Sequence, residues 1–107
     1  MDAISKMASS AITLFEDAVE SLFRSDFKRA DIVVQKTREV VAMEEEVIKT
    51  FLSIKEAETI SILRLIVESV RRTAEYASDI AEIVLNLTIN RVINTSTLKK
   101  HEKSIPL

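Results

Sequence analysis

The sequence contains no cysteine, no glycine and no tryptophan, and only one proline. Without cysteine, the chain can form no disulfide, thiolate metal site or iron–sulfur cluster, and it has no thiol nucleophile. Without glycine, it lacks the residue on which tight β-hairpins and phosphate-cradling loops depend. These absences argue against a β-rich fold, a Walker-type nucleotide site and a dinucleotide-binding fold.

The charge of the chain is nearly balanced, and aromatic residues are few. The formal net charge is -2, from 15 Lys and Arg against 17 Asp and Glu, and aromatic residues make up 5% of the chain. Proteins that bind nucleic acid normally present a basic face and stacking aromatics, so this composition argues against nucleic acid as a partner. No stretch approaches the roughly 20 consecutive apolar residues of a membrane span, and the first residues lack the pattern of a secretory signal. We therefore expect a cytoplasmic protein without membrane insertion.

Apolar residues make up 47% of the 107 residues, enough for one small domain with a packed core. They recur at helical spacing in three segments. In the first segment the predicted buried face contains Ile4, Met7, Ala8, Ala11, Ile12, Phe15, Ala18, Val19, Leu22 and Phe23. Ser25 and Asp26 are both good N-cap residues, so the pattern predicts a break there and a second helix to about Leu52.

The third helix has its own N-terminal signal. Ser53 and Glu56 have the spacing of a capping box, which predicts a helix that begins at Ile54. Its apolar periodicity persists to about Ile93, so this helix is expected to be the longest and to extend beyond the other two.

Short links between these segments predict an all-α fold, an antiparallel up-down-up bundle of three helices. We expect the bundle to occupy residues 1–93. The polar residues 94–107 are expected to form a flexible tail.

The third helix carries more apolar surface than a three-helix bundle needs. One row has the alternating steps of three and four residues typical of a coiled-coil seam: Ile60, Leu63, Val67, Val70, Ala74, Ala77, Ala81 and Val84. A second row lies beside it: Ile62, Ile66, Thr73, Tyr76, Ile80, Ile83 and Leu87. Together the rows cover roughly 200°, whereas a surface helix usually needs about 100° to face its core. Either the other two helices wrap the third unusually well, or the second row is covered by another chain or by a further segment of a longer chain.

We expect the second row to be an interface. The prediction is a homo-oligomer, a six-helix or larger unit, whose contact residues are Ile62, Ile66, Tyr76, Ile80, Ile83 and Leu87.

Three carboxylates lie within two turns on the polar side of the third helix: Glu75, Asp79 and Glu82. No basic residue follows Arg71 on that stripe. A solvated acidic face is one interpretation, since the repulsion per pair in water is only a few tenths of a kcal/mol. The alternatives are an oxygen-ligand site for a divalent or iron cation, completed by another helix or subunit, and a contact for a basic patch on a partner protein.

Glu44 projects from the middle of the apolar side of the second helix. A carboxylate that faces a core must be paired, protonated or bound to a cation. The alternatives are an ion pair with an Arg or Lys of another helix, partial exposure at the edge of the bundle, and a second metal site.

The sequence offers no arrangement typical of an enzyme. The only histidine, His101, lies in the expected tail, where a general base would have no fixed geometry. No serine has a histidine and an acid that can be placed beside it. We therefore expect a protein that is not an enzyme.

The third helix resembles the signature of PhoU-family phosphate-signalling proteins, a segment like LERIGDxAxNIAE. The corresponding stretch here is RRTAEYASDIAE, residues 71–82, and agreement is strongest at Ala77 and in Ile80-Ala81-Glu82. Ser25-Asp26-Phe27 is similar to the family's short first turn, and Met43-Glu44-Glu45-Glu46-Val47 to its acidic stretch in mid-helix. The likeness covers about residues 7–93.

The resemblance implies a function as well as a fold. PhoU proteins are non-catalytic regulators of phosphate uptake, which act through a transporter or a signalling kinase at the inner membrane face. Their molecules usually contain two three-helix repeats, and some bind metal through acidic motifs of the form E/D-x-x-x-D. Arg71 stands where the family's first acid would be, and Glu75 and Asp79 form such a pair one turn later. The alternative function is a structural or adaptor module for helical oligomerisation, without a metal or a phosphate role.

Overall fold

The computed structural model describes the backbone of residues 2–104 and the side chains of residues 2–87, 89 and 91. Residues 2–104 contain no strand and form, in order, α1 (Asp2–Arg24), α2 (Phe27–Lys49), a 3₁₀ turn (Thr50–Ser53) and α3 (Ala57–Ser104). Each of the three long helices packs against the other two. The predicted all-α three-helix bundle is confirmed.

α3 is about twice as long as its neighbours. It has 48 residues, against 23 in α1 and 23 in α2, which gives lengths of about 70 Å and about 35 Å at 1.5 Å per residue. The molecule is accordingly elongated, with extents of 79 × 18 × 17 Å. The prediction that α3 is the longest helix is therefore confirmed.

The end of α3 differs from the expectation. The helix passes Ile93, its predicted last residue, and continues to Ser104. The reason is that no glycine or proline interrupts the chain before Pro106. Residues 105–107 lie outside the described part of the chain, and the flexibility of residues 94–107 stays a prediction.

In the turn between α1 and α2, the chain ends a helix without a glycine. Ser25 has a left-handed backbone, with φ 52°. The Asp26 N–H donates to the Ser21 carbonyl at 2.9 Å and the Ser25 N–H to the Leu22 carbonyl at 3.4 Å, which is the Schellman pattern of helix termination. Serine therefore occupies a position that normally favours glycine.

Replacing this serine is expected to stabilise the protein. Ser25→Gly should raise the free energy of unfolding by roughly 0.5–1 kcal/mol, because relief of the left-handed strain outweighs the added freedom of the unfolded chain. Urea denaturation followed by circular dichroism measures the change. The control is Ser53→Gly, at a position without a positive φ, which should lower stability instead. Equal effects of the two substitutions would contradict the account of the turn.

The predicted start of α2 is confirmed. Asp26 is the N-cap, and its side chain accepts a hydrogen bond from the Arg29 N–H at 3.1 Å.

The predicted start of α3 is wrong. Ser53 is not an N-cap but the last residue of the 3₁₀ turn, and Ile54 is extended. α3 begins three residues later than expected, after Glu56, whose carbonyl accepts from the Ile60 N–H at 3.1 Å. The Glu56 carboxylate also accepts from the Thr59 hydroxyl at 3.0 Å. The capping box therefore does not form.

The 3₁₀ turn explains this displacement. It buries Phe51 in the core and leaves the adjacent Leu52 84% exposed. The Thr50 hydroxyl donates to the Val47 carbonyl at 2.6 Å and tightens the end of α2. The tighter turn brings one apolar side chain inward, and an extended segment is then needed before α3 can begin.

The core is narrow and rich in alanine. The buried apolar residues are Met7, Ala11, Leu14 and Ala18 of α1, Ala30, Val33, Val40 and Val47 of α2, Phe51, and Leu63, Val67, Ala74, Ala77, Ala81 and Val84 of α3. The last six belong to the predicted seam of α3, whose other two members are half-buried. Since Ala74, Ala77 and Ala81 are completely buried, the helices pack closely along this seam.

The buried face of α1 differs from the prediction. Ile12, Phe15, Leu22 and Phe23 were expected in the core but are exposed, while the unexpected Leu14 and Ser21 are buried. The Ser21 hydroxyl donates to the Ala18 carbonyl at 2.7 Å, so its burial leaves no donor unpaired. Small residues on this side let α1 approach its neighbours closely, and the helix turns its bulkier side outward.

Candidate functional site

Two surfaces of the bundle hold the residues predicted to be functional. One is the groove between α2 and α3, which contains the acidic residues. The other is the side formed by α1 and α3, which contains the predicted interface residues.

Glu44 is paired across the helices, one of the alternatives left open by the sequence. Its Oε2 lies 3.5 Å from Nε of Arg71 on α3. The same nitrogen lies 3.9 Å from Oε1 of Glu75, one turn further along α3. The side chains are 26% exposed at Glu44 and 35% exposed at Arg71, so the pair sits at the edge of the bundle.

The ion pair is not a tight hydrogen bond. The Nε atom of Arg71 is buried and makes no hydrogen bond within the described residues, although both carboxylates are near it. A partly exposed pair of this kind contributes less than about 1 kcal/mol to stability. The ion pair is therefore informative mainly about the register of the helices, because it shows that Glu44 of α2 lies beside Arg71 of α3.

Glu75, Asp79 and Glu82 line a groove of about 500 Å³ between α2 and α3, opposite Arg38. All three carboxylates are exposed. Among the residues with described side chains, no three acidic or histidine residues come together as a potential metal site. A cation site at these residues stays a prediction, and it would need further ligands beyond the described side chains. His101 lies outside the residues whose side chains are described.

Five of the six predicted interface residues of α3 are exposed. We call the six residues Ile62, Ile66, Tyr76, Ile80, Ile83 and Leu87 the α3 strip. Ile62, Tyr76 and Ile83 are 52%, 57% and 53% exposed, and Ile80 is half-buried. The sequence-based expectation that α1 and α2 cannot hide this second row agrees with these exposures, while the oligomer itself stays a prediction.

α1 extends the apolar surface, a contribution that the sequence analysis missed. Its exposed Ile12 lines an apolar groove of about 420 Å³ together with Ile62 and Ile66 of the α3 strip. Further along, Leu22 of α1 borders a small pocket with Leu87. We call the combined surface the α1/α3 face: the α3 strip together with Ile12, Phe15 and Leu22. A signal for this was present in the sequence. The buried residues of α1 also follow a three-four spacing: Met7, Ala11, Leu14, Ala18 and Ser21. If these residues face the core, Ile12, Phe15 and Leu22 face away from it.

No charged residue lies on the α3 part of this face between Glu58 and Arg91. The acidic residues Glu75, Asp79 and Glu82 of α3 lie instead in the groove that faces α2. The bundle thus separates an apolar face from a polar groove. No helix among the described residues is long and apolar enough to cross a membrane.

The family comparison agrees with this architecture. The family model of the PhoU domain matches residues 4–84, which include nearly all of α1, the whole of α2 and the 3₁₀ turn, and most of the part of α3 that packs against them. No curated protein and no solved structure gives a significant match to the chain. Because the family model covers most of the sequence and the three-helix fold agrees with it, the chain belongs to the PhoU domain family.

Proposed function

We propose that this protein is a non-catalytic regulator of phosphate uptake or phosphate signalling, acting through contacts with other proteins. Membership of the PhoU domain family supports the phosphate-related role. The partner expected for such a regulator is a phosphate transporter or a signalling kinase on the cytoplasmic side of the membrane.

The observation that carries the mode of action is the α1/α3 face. Large apolar side chains stand about half exposed along two neighbouring helices, and no charged residue lies among the α3 strip positions between Glu58 and Arg91. Soluble monomers rarely expose contiguous apolar patches beyond a few hundred Å², and larger patches mark contact sites. The proposed mechanism is therefore binding through helix faces rather than catalysis.

The polar groove offers a second contact of different chemistry. Glu75, Asp79 and Glu82 give the α2/α3 side an acidic stripe, with Arg38 on the opposite wall. Basic side chains of a partner suit these exposed carboxylates, though each exposed ion pair adds only a modest amount to affinity. The proposal does not require a cation in this groove.

Deleting the protein from cells that produce it tests the phosphate role. We expect phosphate uptake in the deletion strain to lose its dependence on phosphate supply, because the regulator that reports supply to the transporter is missing. Uptake of labelled phosphate, measured after growth at high and at low phosphate, gives the readout. Restoring the gene should restore the dependence.

An unchanged uptake response would contradict the phosphate role. If the purified protein nevertheless formed specific complexes through the α1/α3 face, the alternative function would stand: a structural or adaptor module for helical oligomerisation.

A further inference from the structure

The four outer residues of the α3 strip are spaced symmetrically. Measured from a point between residues 74 and 75, Ile62 and Leu87 lie equally far away, and so do Ile66 and Ile83. Every one of these four residues is exposed and apolar. A surface with this symmetry can match a second copy of itself in the opposite direction.

Between these four residues the spacing stays symmetric, but the residue types do not. Thr73 and Tyr76 are equally far from the central point, as are Ser69 and Ile80. The Ser69 hydroxyl donates to the Leu65 carbonyl at 3.0 Å, and the Thr73 hydroxyl donates to the Ser69 carbonyl at 2.9 Å. Since both hydroxyl donors are already used within α3, burying them in an apolar contact leaves no donor unsatisfied.

We infer that the α3 strip pairs with the α3 strip of a second copy of this chain, antiparallel, about a two-fold axis at the strip's centre. In this register Ile62 packs against the partner's Leu87, and Ile66 packs against the partner's Ile83. A two-fold interface uses the same patch on both subunits, so each of these contacts occurs twice. The inference rests on the proposed function in that it assigns the α1/α3 contact face to a second copy, which leaves the α2/α3 groove for a transporter or kinase. It does not depend on the connection with phosphate.

Charges at the two ends favour the antiparallel direction. Glu58 precedes the strip and Arg91 follows it, and both are exposed. The antiparallel register brings Glu58 next to the partner's Arg91 at each end, whereas a parallel register would bring like charges together. Arg91 already has an interaction within its own chain. Its guanidinium carries five N–H donors, so it can keep that contact and still face the partner's carboxylate.

α1 has a matching pattern. Ile12 and Phe15 lie equally far from a point between residues 13 and 14, and so do Ala8 and Val19. α1 runs alongside α3 in the same direction. Ile12 shares a groove with Ile62 and Ile66 near one end of the strip, and Leu22 shares a pocket with Leu87 at the other end. The central point of α1 therefore lies at about the level of the strip's centre. One two-fold axis therefore serves both helices, and α1 faces the partner's α1.

The available area is sufficient for a stable dimer. A large apolar side chain carries roughly 150–200 Å² of accessible surface, so eight that are about half exposed offer roughly 700 Å². The exposed large apolar residues of the α1/α3 face number eight: Ile12, Phe15, Leu22, Ile62, Ile66, Tyr76, Ile83 and Leu87. A standard specific interface buries about 800 Å² on each partner.

Single cysteines test the direction and the register, and the natural chain has none to interfere. Two purified variants, Ile62→Cys and Leu87→Cys, are oxidised alone and as a mixture in which one carries an affinity tag. We expect a disulfide between the two variants in the mixture, at least tenfold more abundant than the disulfide formed by either variant alone. Leu52→Cys, exposed but outside the face, is the matched control and should form no disulfide.

Each other outcome would overturn the inference. Disulfides within each variant alone would indicate a parallel pair, and no disulfide in any combination would show that the strips do not meet. Charge reversal gives a second readout: Glu58→Arg should weaken dimerisation at least about fivefold, and the double variant Glu58→Arg/Arg91→Glu should restore it. A disulfide in the mixture together with an unchanged phosphate response in the deletion strain would leave the dimer intact and refute only the phosphate role.

Discussion

Ala77→Leu is expected to lower the free energy of unfolding by about 3 kcal/mol or more, the largest effect on stability that we predict. Ala77 is completely buried between the equally buried Ala74 and Ala81. The three helices approach closely there, so added carbon atoms have no space to occupy. Overpacking of a core commonly costs 1–3 kcal/mol, and the narrow alanine seam should place this substitution at the upper end, about 3 kcal/mol.

Urea denaturation at a fixed protein concentration measures the loss, because unfolding of an associating protein depends on concentration. The control is Ala42→Leu, the same change at an exposed position of α2, which should alter stability by no more than about 0.5 kcal/mol. Equal transitions for the two variants would show that α3 does not pack closely against its neighbours at Ala77.

Ile83→Asp should have the largest effect on association and raise the dissociation constant of the dimer more than a hundredfold. The two-fold axis repeats the substitution, so two carboxylates are placed in an apolar contact without a cation to pair with them. Sedimentation velocity at a series of concentrations measures the change.

The control for this variant is Ile32→Asp. Ile32 lies on α2, away from the α1/α3 face, and is 49% exposed against 53% for Ile83. Both variants should keep the helical content of the natural chain. A dimer that persists equally in the two variants would exclude Ile83 from the interface.

The seam of α3 could be predicted from the sequence because its three-four spacing is long and regular. Leu63, Val67, Ala74 and Ala77 are buried as that spacing requires. Exposure of the neighbouring row also followed from simple geometry, since two helices cannot surround an apolar arc of roughly 200°.

The orientation of α1 could not be predicted in the same way. Hydrophobicity favoured the side with Ile12 and Phe15, but close packing favoured the small side chains of Ala11, Ala18 and Ser21. Hydrophobicity alone does not distinguish a face that packs within the chain from a face that remains available to a partner.

The start of α3 and the partner of Glu44 depended on tertiary contacts. Burial of Phe51 by the 3₁₀ turn overrode the local capping signal at Ser53. The sequence predicts that Glu44 can pair with a basic residue of another helix, but it does not say which one. Only the register of α2 against α3 identifies that residue as Arg71. For the acidic stripe, the three interpretations from the sequence stay open: a solvated face, a cation site and a contact for a basic partner. Its carboxylates share a groove but form no ligand set among the described side chains.

The mass of the natural chain in solution tests the central claim, that the α1/α3 face is covered by a second copy. Light scattering coupled to size exclusion should give twice the 12.1 kDa of one chain at micromolar concentration. A monodisperse species of 12.1 kDa over the whole concentration range would contradict the claim.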